Sequence, residues 1–150
     1  MKLCRFIHAS VSGVRIGLIA NDKDVIDLTT AGVRRMKDLL ERADLRDELA
    51  RIVQSANAQY PLDNAQLLTP VEGQEVWAAG VTYLRSKEAR MVESEFSASA
   101  YDRVYDAVRP EIFFKALPEK VVSPGEAVGI RSDADWNVPE PELALVINSA

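Results

Sequence analysis

The sequence predicts an α+β chain, mainly β in its second part. A small α+β N-terminal domain spans residues 1–70, and the start of a larger mixed sheet spans residues 71–150. Three observations predict this. Side chains alternate with period two through the first 28 residues, the signature of strands. Two segments between residues 33 and 56 carry apolar residues at helical spacing. After residue 70, short apolar runs and one long helical stretch supply too few strands to close on themselves, which leaves sheet edges open.

Leu3, Arg5 and Ile7 alternate with Cys4, Phe6 and His8, and a second strand carries Val14, Ile16 and Leu18. Gly13 and the cluster Asn21-Asp22-Lys23-Asp24 supply the expected turns of an antiparallel meander. Val33, Met36, Leu39, Leu40 and Ala43 predict a first helix with Thr30 as its cap. Leu45, Leu49, Ile52, Val53 and Ala56 predict a second helix after Asp44, and Pro61 closes the unit. A polar connector through Asn64 leads to Leu67-Leu68-Thr69-Pro70, the expected domain boundary. Beyond it, residues 76–81 read as a strand and residues 84–108 as a helix ended by Pro110. Glu111-Ile112-Phe113-Phe114-Lys115 reads as a buried strand, Pro124-Gly125 as a type II turn, and 128–131 and 140–147 as the last strands.

Of the 150 residues, 47% are hydrophobic and 27% charged, ordinary globular usage. The net charge of −5 offers no basic footprint, so neither nucleic acid nor an anionic membrane is expected as a partner. A single cysteine excludes an internal disulfide framework and fits a reducing compartment. No apolar run approaches the length of a membrane span, and the N-terminus lacks the features of a signal peptide. A cytoplasmic chain is expected.

The chemistry-bearing residues lie in the second half. Glu140 and Glu142 stand one residue apart, and on a strand both carboxylates leave the same face. Two like charges so close are relieved by a proton, a basic partner or a cation, and an all-carboxylate pair suits magnesium, manganese or calcium. The same alternation also suits a solvated edge strand, where prolines such as Pro139 and Pro141 are common. Gly80-Val81-Thr82-Tyr83 sits where a strand passes into a helix that carries Arg85, Glu88 and Arg90. The arginines can clamp a carboxylate and Glu88 can act as a base, or the three can form a solvated, salt-bridged helix face. Lys115 either snorkels to solvent or holds an anion at the sheet's mouth. His8 is the only histidine and reads as a structural or surface residue, which leaves no histidine-based nucleophilic or zinc site.

Taken together, Gly80-Val81-Thr82-Tyr83, then Arg109-Pro110-Glu111-Ile112-Phe113-Phe114-Lys115, then Val138-Pro139-Glu140-Pro141-Glu142-Leu143-Ala144-Leu145-Val146-Ile147 resemble the fumarylacetoacetate hydrolase family in order and spacing. The resemblance spans roughly Val76 to Ile147. It implies a mixed β-roll, a homodimer at full length, and a magnesium or manganese ion held by a Glu-x-Glu pair and a later aspartate. Members cleave, decarboxylate, dehydrate or isomerise 2-oxo and 1,3-diketo acids through a metal-stabilised enolate. Glu140 and Glu142 match the first two metal ligands, and Lys115 matches a lysine near the site. Gly80 and Tyr83 match the loop that opens onto substrate.

The Arg-rich stretch after Tyr83 is most similar to the branch acting on 2-keto-3-deoxy sugar acids, so a dehydratase or C–C hydrolase of sugar-acid or aromatic catabolism is expected. Glu88 and Lys115 are the expected catalytic residues. Tyr83, Arg85 and Arg90 are the expected contacts to a small oxo acid. Many members carry a histidine just after the loop tyrosine, where this sequence has Leu84-Arg85-Ser86-Lys87-Glu88, and its absence suits a lyase better than a hydrolase. The third ligand and most of the roll lie beyond Ala150 in the family, so a fragment is expected. The competing expectation is an inactive remnant or an interaction module with an incomplete metal site.

Overall fold

The alternation of the first residues is realised as an antiparallel sheet. The computed structural model describes residues 1–80, 83, 84, 88, 102–137 and 139–149. Their contacts divide into two compact units, one of residues 1–72 with 122–150 and one of residues 73–121. In the first unit, β1 (Lys2–His8), β2 (Val11–Ala20) and β3 (Asp24–Asp27) form the expected meander. Two short strands, β4 (Gln59–Pro61) and β5 (Gln66–Leu68), join its edges to give the order β4-β3-β2-β1-β5. The polar connector in this stretch gave no sign of them, because each is only three residues long.

A short connection bends this sheet. In a flat sheet, four strand spacings of ~4.8 Å would put β4 about 19 Å from β5. Only residues 62–65 join them, three of them in a 3₁₀ turn, with a reach of about 13 Å. The sheet must therefore curl. The rings record it: His8 of β1 stacks on Tyr60 of β4 at 4.2 Å, and Phe6 lies 6.1 Å from Tyr60. The concave face is filled by Cys4, Phe6 and Val25, with Tyr60, Leu62 and Leu67 packed around them. Gly17 pairs with Cys4 in the β1–β2 register and lies on this crowded face. A Cβ there would run into the Val25 Cγ1 methyl and stand 2.9 Å from the Phe6 ring.

The convex face carries the larger core. Ile16 and Leu18 of β2 pack with Leu28, Val33, Met36, Leu39 and Leu49, contributed by the chain that follows the meander. That chain forms a 3₁₀ turn (Leu28–Ala31), then α1 (Met36–Leu40) and α2 (Leu45–Ser55). Helix α2 follows the expected spacing after Asp44. The first helix differs from expectation: it is one turn long, and Thr30 lies in the 3₁₀ turn ahead of it. Asp27 caps that turn, accepting from Thr29 N at 2.9 Å, while its other oxygen takes Arg15 Nε at 2.9 Å. This carboxylate is wholly buried, and its two partners offset the cost of desolvating it. The open amides of α1 are met by Glu72, which accepts from Met36 N and Lys37 N, each at 2.8 Å. Arg5 donates to the carbonyls of Thr69 and Val71 and so fixes the chain on its way to Glu72.

The turns divide between expected and not. Asn21 and Asp22 both have positive φ, as a type I′ hairpin turn requires. Gly13 also has positive φ, but it lies inside β2 rather than between strands. Ser123-Pro124-Gly125-Glu126 closes a type II turn, with Glu126 N donating to Ser123 O and Gly125 at φ +83°.

In the second unit, β6 (Val76–Ala79) pairs antiparallel with β7 (Ile112–Ala116). The strand expected to be buried here is exposed: Ile112, Phe113 and Phe114 keep 42–63% of their surface, because two strands alone provide no covering layer. Most of the long helix expected over 84–108 lies outside the described residues; helix is described at 84, 88 and 102–105. No strand is assigned at 128–131 or 139–149, where the sequence predicts the last strands. Alternation prepares a strand, but a neighbouring ladder completes it, and no described strand pairs with either stretch. Among the described residues no helix is long and apolar enough to cross a membrane.

The concave face sets two testable consequences. Gly17→Ala overpacks it and lowers stability by about 2–3 kcal/mol, read from the midpoint of urea unfolding at unchanged slope. Burial pushes the Cys4 thiol up to about 11. Its folded-state value lies above its unfolded one, so this stabilisation is present below pH 9 and is lost as pH rises toward 11. Iodoacetamide at pH 8 therefore alkylates the native chain about a hundredfold more slowly than the unfolded chain, and equal rates would contradict the buried placement.

Candidate functional site

Gly80 ends β6 against the start of β7, its N–H donating to Glu111 O at 2.7 Å. A Cβ at Gly80 would stand 3.0 Å from the Glu111 carboxylate, so a small residue suits this crossing. The chain that leaves it carries Tyr83 and Glu88, both exposed. Val81, Thr82, Arg85 and Arg90 lie outside the described residues. Two of the three motif segments therefore meet at one end of this two-stranded sheet, Gly80 against Glu111, while the third is grouped with the first unit.

Lys115 is exposed on β7 with its ammonium 5.9 Å from the Phe113 ring centre, since residues two apart on a strand share a face. On the other face Trp77 meets Phe114 edge to face at 6.1 Å. The ammonium thus lies beside aromatic surface and remains open to an anion.

Glu140 and Glu142 are exposed on the stretch 139–149, which the contacts group with the first unit. Pro139 and Pro141 flank Glu140 and fix φ at their own positions. Nearby, Arg131 donates to both carboxylate oxygens of Asp133 through Nε and one terminal nitrogen, and this pairing holds the Asp133 carboxyl below its usual range. The acids closest in sequence to the pair, Asp133 and Asp135, are both exposed, and Asp133 is engaged by Arg131. Among the described residues no group of three or more histidine, cysteine, aspartate or glutamate side chains is placed to hold a metal. The donor set of Glu140 and Glu142 fits a hard cation in kind and falls short of about six ligands in number. Sequence reasoning missed Glu72 and Arg5, whose structural roles depend on partners more than thirty residues away.

No protein-family profile matches the chain. The chain is homologous to the 2-keto-3-deoxy sugar acid dehydratases, members of the fumarylacetoacetate hydrolase family, over the N-terminal half of those proteins. It is 42% identical over 146 residues to a probable 2-keto-3-deoxyxylonate dehydratase of Haloferax volcanii, a match covering 92% of this chain and 50% of the relative. It is 41% identical over 99 residues to a 2-dehydro-3-deoxy-D-arabinonate dehydratase of Saccharolobus solfataricus, covering 64% of this chain and 33% of the relative. A solved structure of a 2-keto-3-deoxyarabinonate dehydratase matches with TM-score 0.56 and 26% identity, over 95% of this chain and 50% of that one. The chain thus spans half or less of the length of these relatives, all of them dehydratases by name.

Two exposed carboxylates set a modest metal affinity. Manganese binding to the isolated chain, followed by water-proton relaxation, is expected at a Kd of about 10⁻³ M. A Kd below about 10 µM would show that further ligands converge on the pair.

Proposed function

We propose that this chain carries the metal-holding part of a divalent-metal-dependent dehydratase acting on a 2-keto-3-deoxy sugar acid. The observation that carries this reading is the 42% identity to the Haloferax volcanii relative across nearly the whole chain. Glu140 and Glu142 are the residues that would hold magnesium or manganese. Bound there, the cation supplies Lewis-acid polarisation of the substrate's 2-oxo group.

The chain's own residues divide the remaining work. Arg85 or Arg90 binds the substrate carboxylate as a bidentate partner. Tyr83, exposed a few residues beyond β6, lines the entrance. Lys115 offsets negative charge that gathers on the substrate oxygens. Glu88 takes the proton from the carbon next to the 2-oxo group, after which hydroxide leaves the following carbon and is protonated to water. Every step is proton transfer and elimination, with no redox partner needed. In this reading the catalytic part begins near residue 71, the protein acts in the cytoplasm, and its full-length form is a homodimer. C–C hydrolysis is the runner-up chemistry. A second reading, an interaction module with an incomplete metal site, is favoured by the exposed apolar side chains Leu143, Leu145, Val146 and Ile147.

The test is turnover of a 2-keto-3-deoxypentonate with magnesium, using the protein as isolated from its source cells. Glu140→Gln and Glu142→Gln are each expected to lower kcat/KM at least about a hundredfold and to weaken metal affinity. Unchanged turnover in Glu140→Gln would refute the metal role, and no turnover in the parent protein would favour the module.

A further inference from the structure

At one end of the curled sheet, a groove of about 500 Å³ lies between the β1–β2 hairpin tip and the chain from Asn64 to Gln66. Its lining includes Ile7, His8, Val11, Gly13, Asn64 and Gln66. The volume falls within the ~300–1,000 Å³ of small-ligand sites, which are common at the mouths of barrels. The backbone beside the groove is irregular without a packing reason. Gly13 has φ +76° inside β2, yet no atom stands within 4 Å of where a Cβ would be. This glycine bends the strand rather than relieving a crowded core. The β1–β2 register also shifts between Phe6 and His8.

His8 has a settled tautomer. Its ring stacks on Tyr60 at 4.2 Å, and its Nδ1 accepts from Ser10 N at 3.2 Å. An accepting Nδ1 leaves the proton of the neutral ring on Nε2, which is then a donor. Asn64 and Gln66 carry carboxamides, each able to donate and accept. Ile7 and Val11 add aliphatic surface. Among the described residues no aspartate, glutamate, lysine or arginine lines the groove.

We infer that this groove binds a small uncharged molecule rich in hydroxyl groups, of the class of a free pentose. Hydroxyls donate and accept as carboxamides do, so the two partners match in kind. The C–H face of a sugar ring meets the aliphatic side chains. An acid or a phosphate fits poorly, because desolvating its charge without a basic partner outweighs hydrogen bonds to neutral amides. A wholly apolar ligand fits poorly too, since it would cover Asn64 and Gln66 without pairing them. An open groove of this kind sets a modest Kd of about 10⁻³–10⁻² M. No residue assigned to metal or substrate takes part, so the inference stands apart from the dehydratase reading.

The experiment is an amide NMR titration of the full chain with D-xylose and, separately, with sodium D-xylonate, the same carbon chain bearing a carboxylate. D-xylose is expected to give saturable shifts confined to residues 7–13 and 64–66. Xylonate is expected to give none at about 100 mM, well above that Kd. His8→Phe keeps a ring on Tyr60 without the Nε2 donor, and Gln66→Ala removes one carboxamide. Each is expected to weaken D-xylose binding at least about fivefold. Arg34→Ala, at an exposed position outside the groove, is expected to leave it unchanged. No saturable shift with D-xylose, shifts centred elsewhere, or equal binding of xylonate would overturn the inference. So would undiminished binding in both groove variants. Glu140→Gln is expected to bind D-xylose as the parent does, so failure of the metal reading and failure of this one are separable.

Discussion

The N-terminal unit depends on a connection that is too short for a flat sheet. Residues 62–65 tie β4 to β5 across the width of five strands, and the curl that results decides which side chains fit inside. Phe6, Val25 and Tyr60 fill the concavity only because Gly17 gives up its side chain opposite Cys4. The convex face is thereby spread, and it accepts Met36, Leu39 and Leu49 from two short helices. One stretch of chain thus sets the shape of both cores, and burial of several large side chains at roughly 1.5–3 kcal/mol each makes the arrangement self-supporting.

A second constraint is polar. Buried Asp27 is answered by Arg15 and by the amide of Thr29, and Arg5 is answered by the carbonyls of Thr69 and Val71. Losing one partner of such a group leaves a desolvated charge, which costs more than the pair contributes. These residues fix where the meander ends and where the chain leaves the sheet. The described site residues differ in burial: Tyr83, Lys115, Glu140 and Glu142 are all exposed. A metal-dependent site relies on neighbouring groups that hydrogen-bond its ligands and hold them in orientation.

The meander, α2 and the two tight turns at Asn21-Asp22 and Pro124-Gly125 were legible in the sequence because each is decided locally, by period or by a residue that tolerates positive φ. What was not legible depends on distant partners. The helix start at Met36 is decided by Glu72, and β4 and β5 exist because β3 and β1 offer open edges. The strands expected at 128–131 and 140–147 fail for the complementary reason: their residues are suited to a sheet, but no described neighbour completes the ladder. Relationship to the dehydratases was legible from the Glu-x-Glu run and its companions. The reaction itself was not, since elimination and hydrolysis start from the same polarised oxo acid.

Helix α1 has only five residues, far below the length at which a helix persists alone. Its first amides are held by Glu72, and its last carbonyl, Leu40 O, is held by Asn148. It therefore behaves as a latch between two distant parts of the chain rather than as an independent element. With no interior to propagate from, it melts as a unit when either end lets go. The amides of Met36 and Lys37 then report by their exchange whether Asn148 is seated, so an event at the far end of the chain is readable at a helix more than a hundred residues before it.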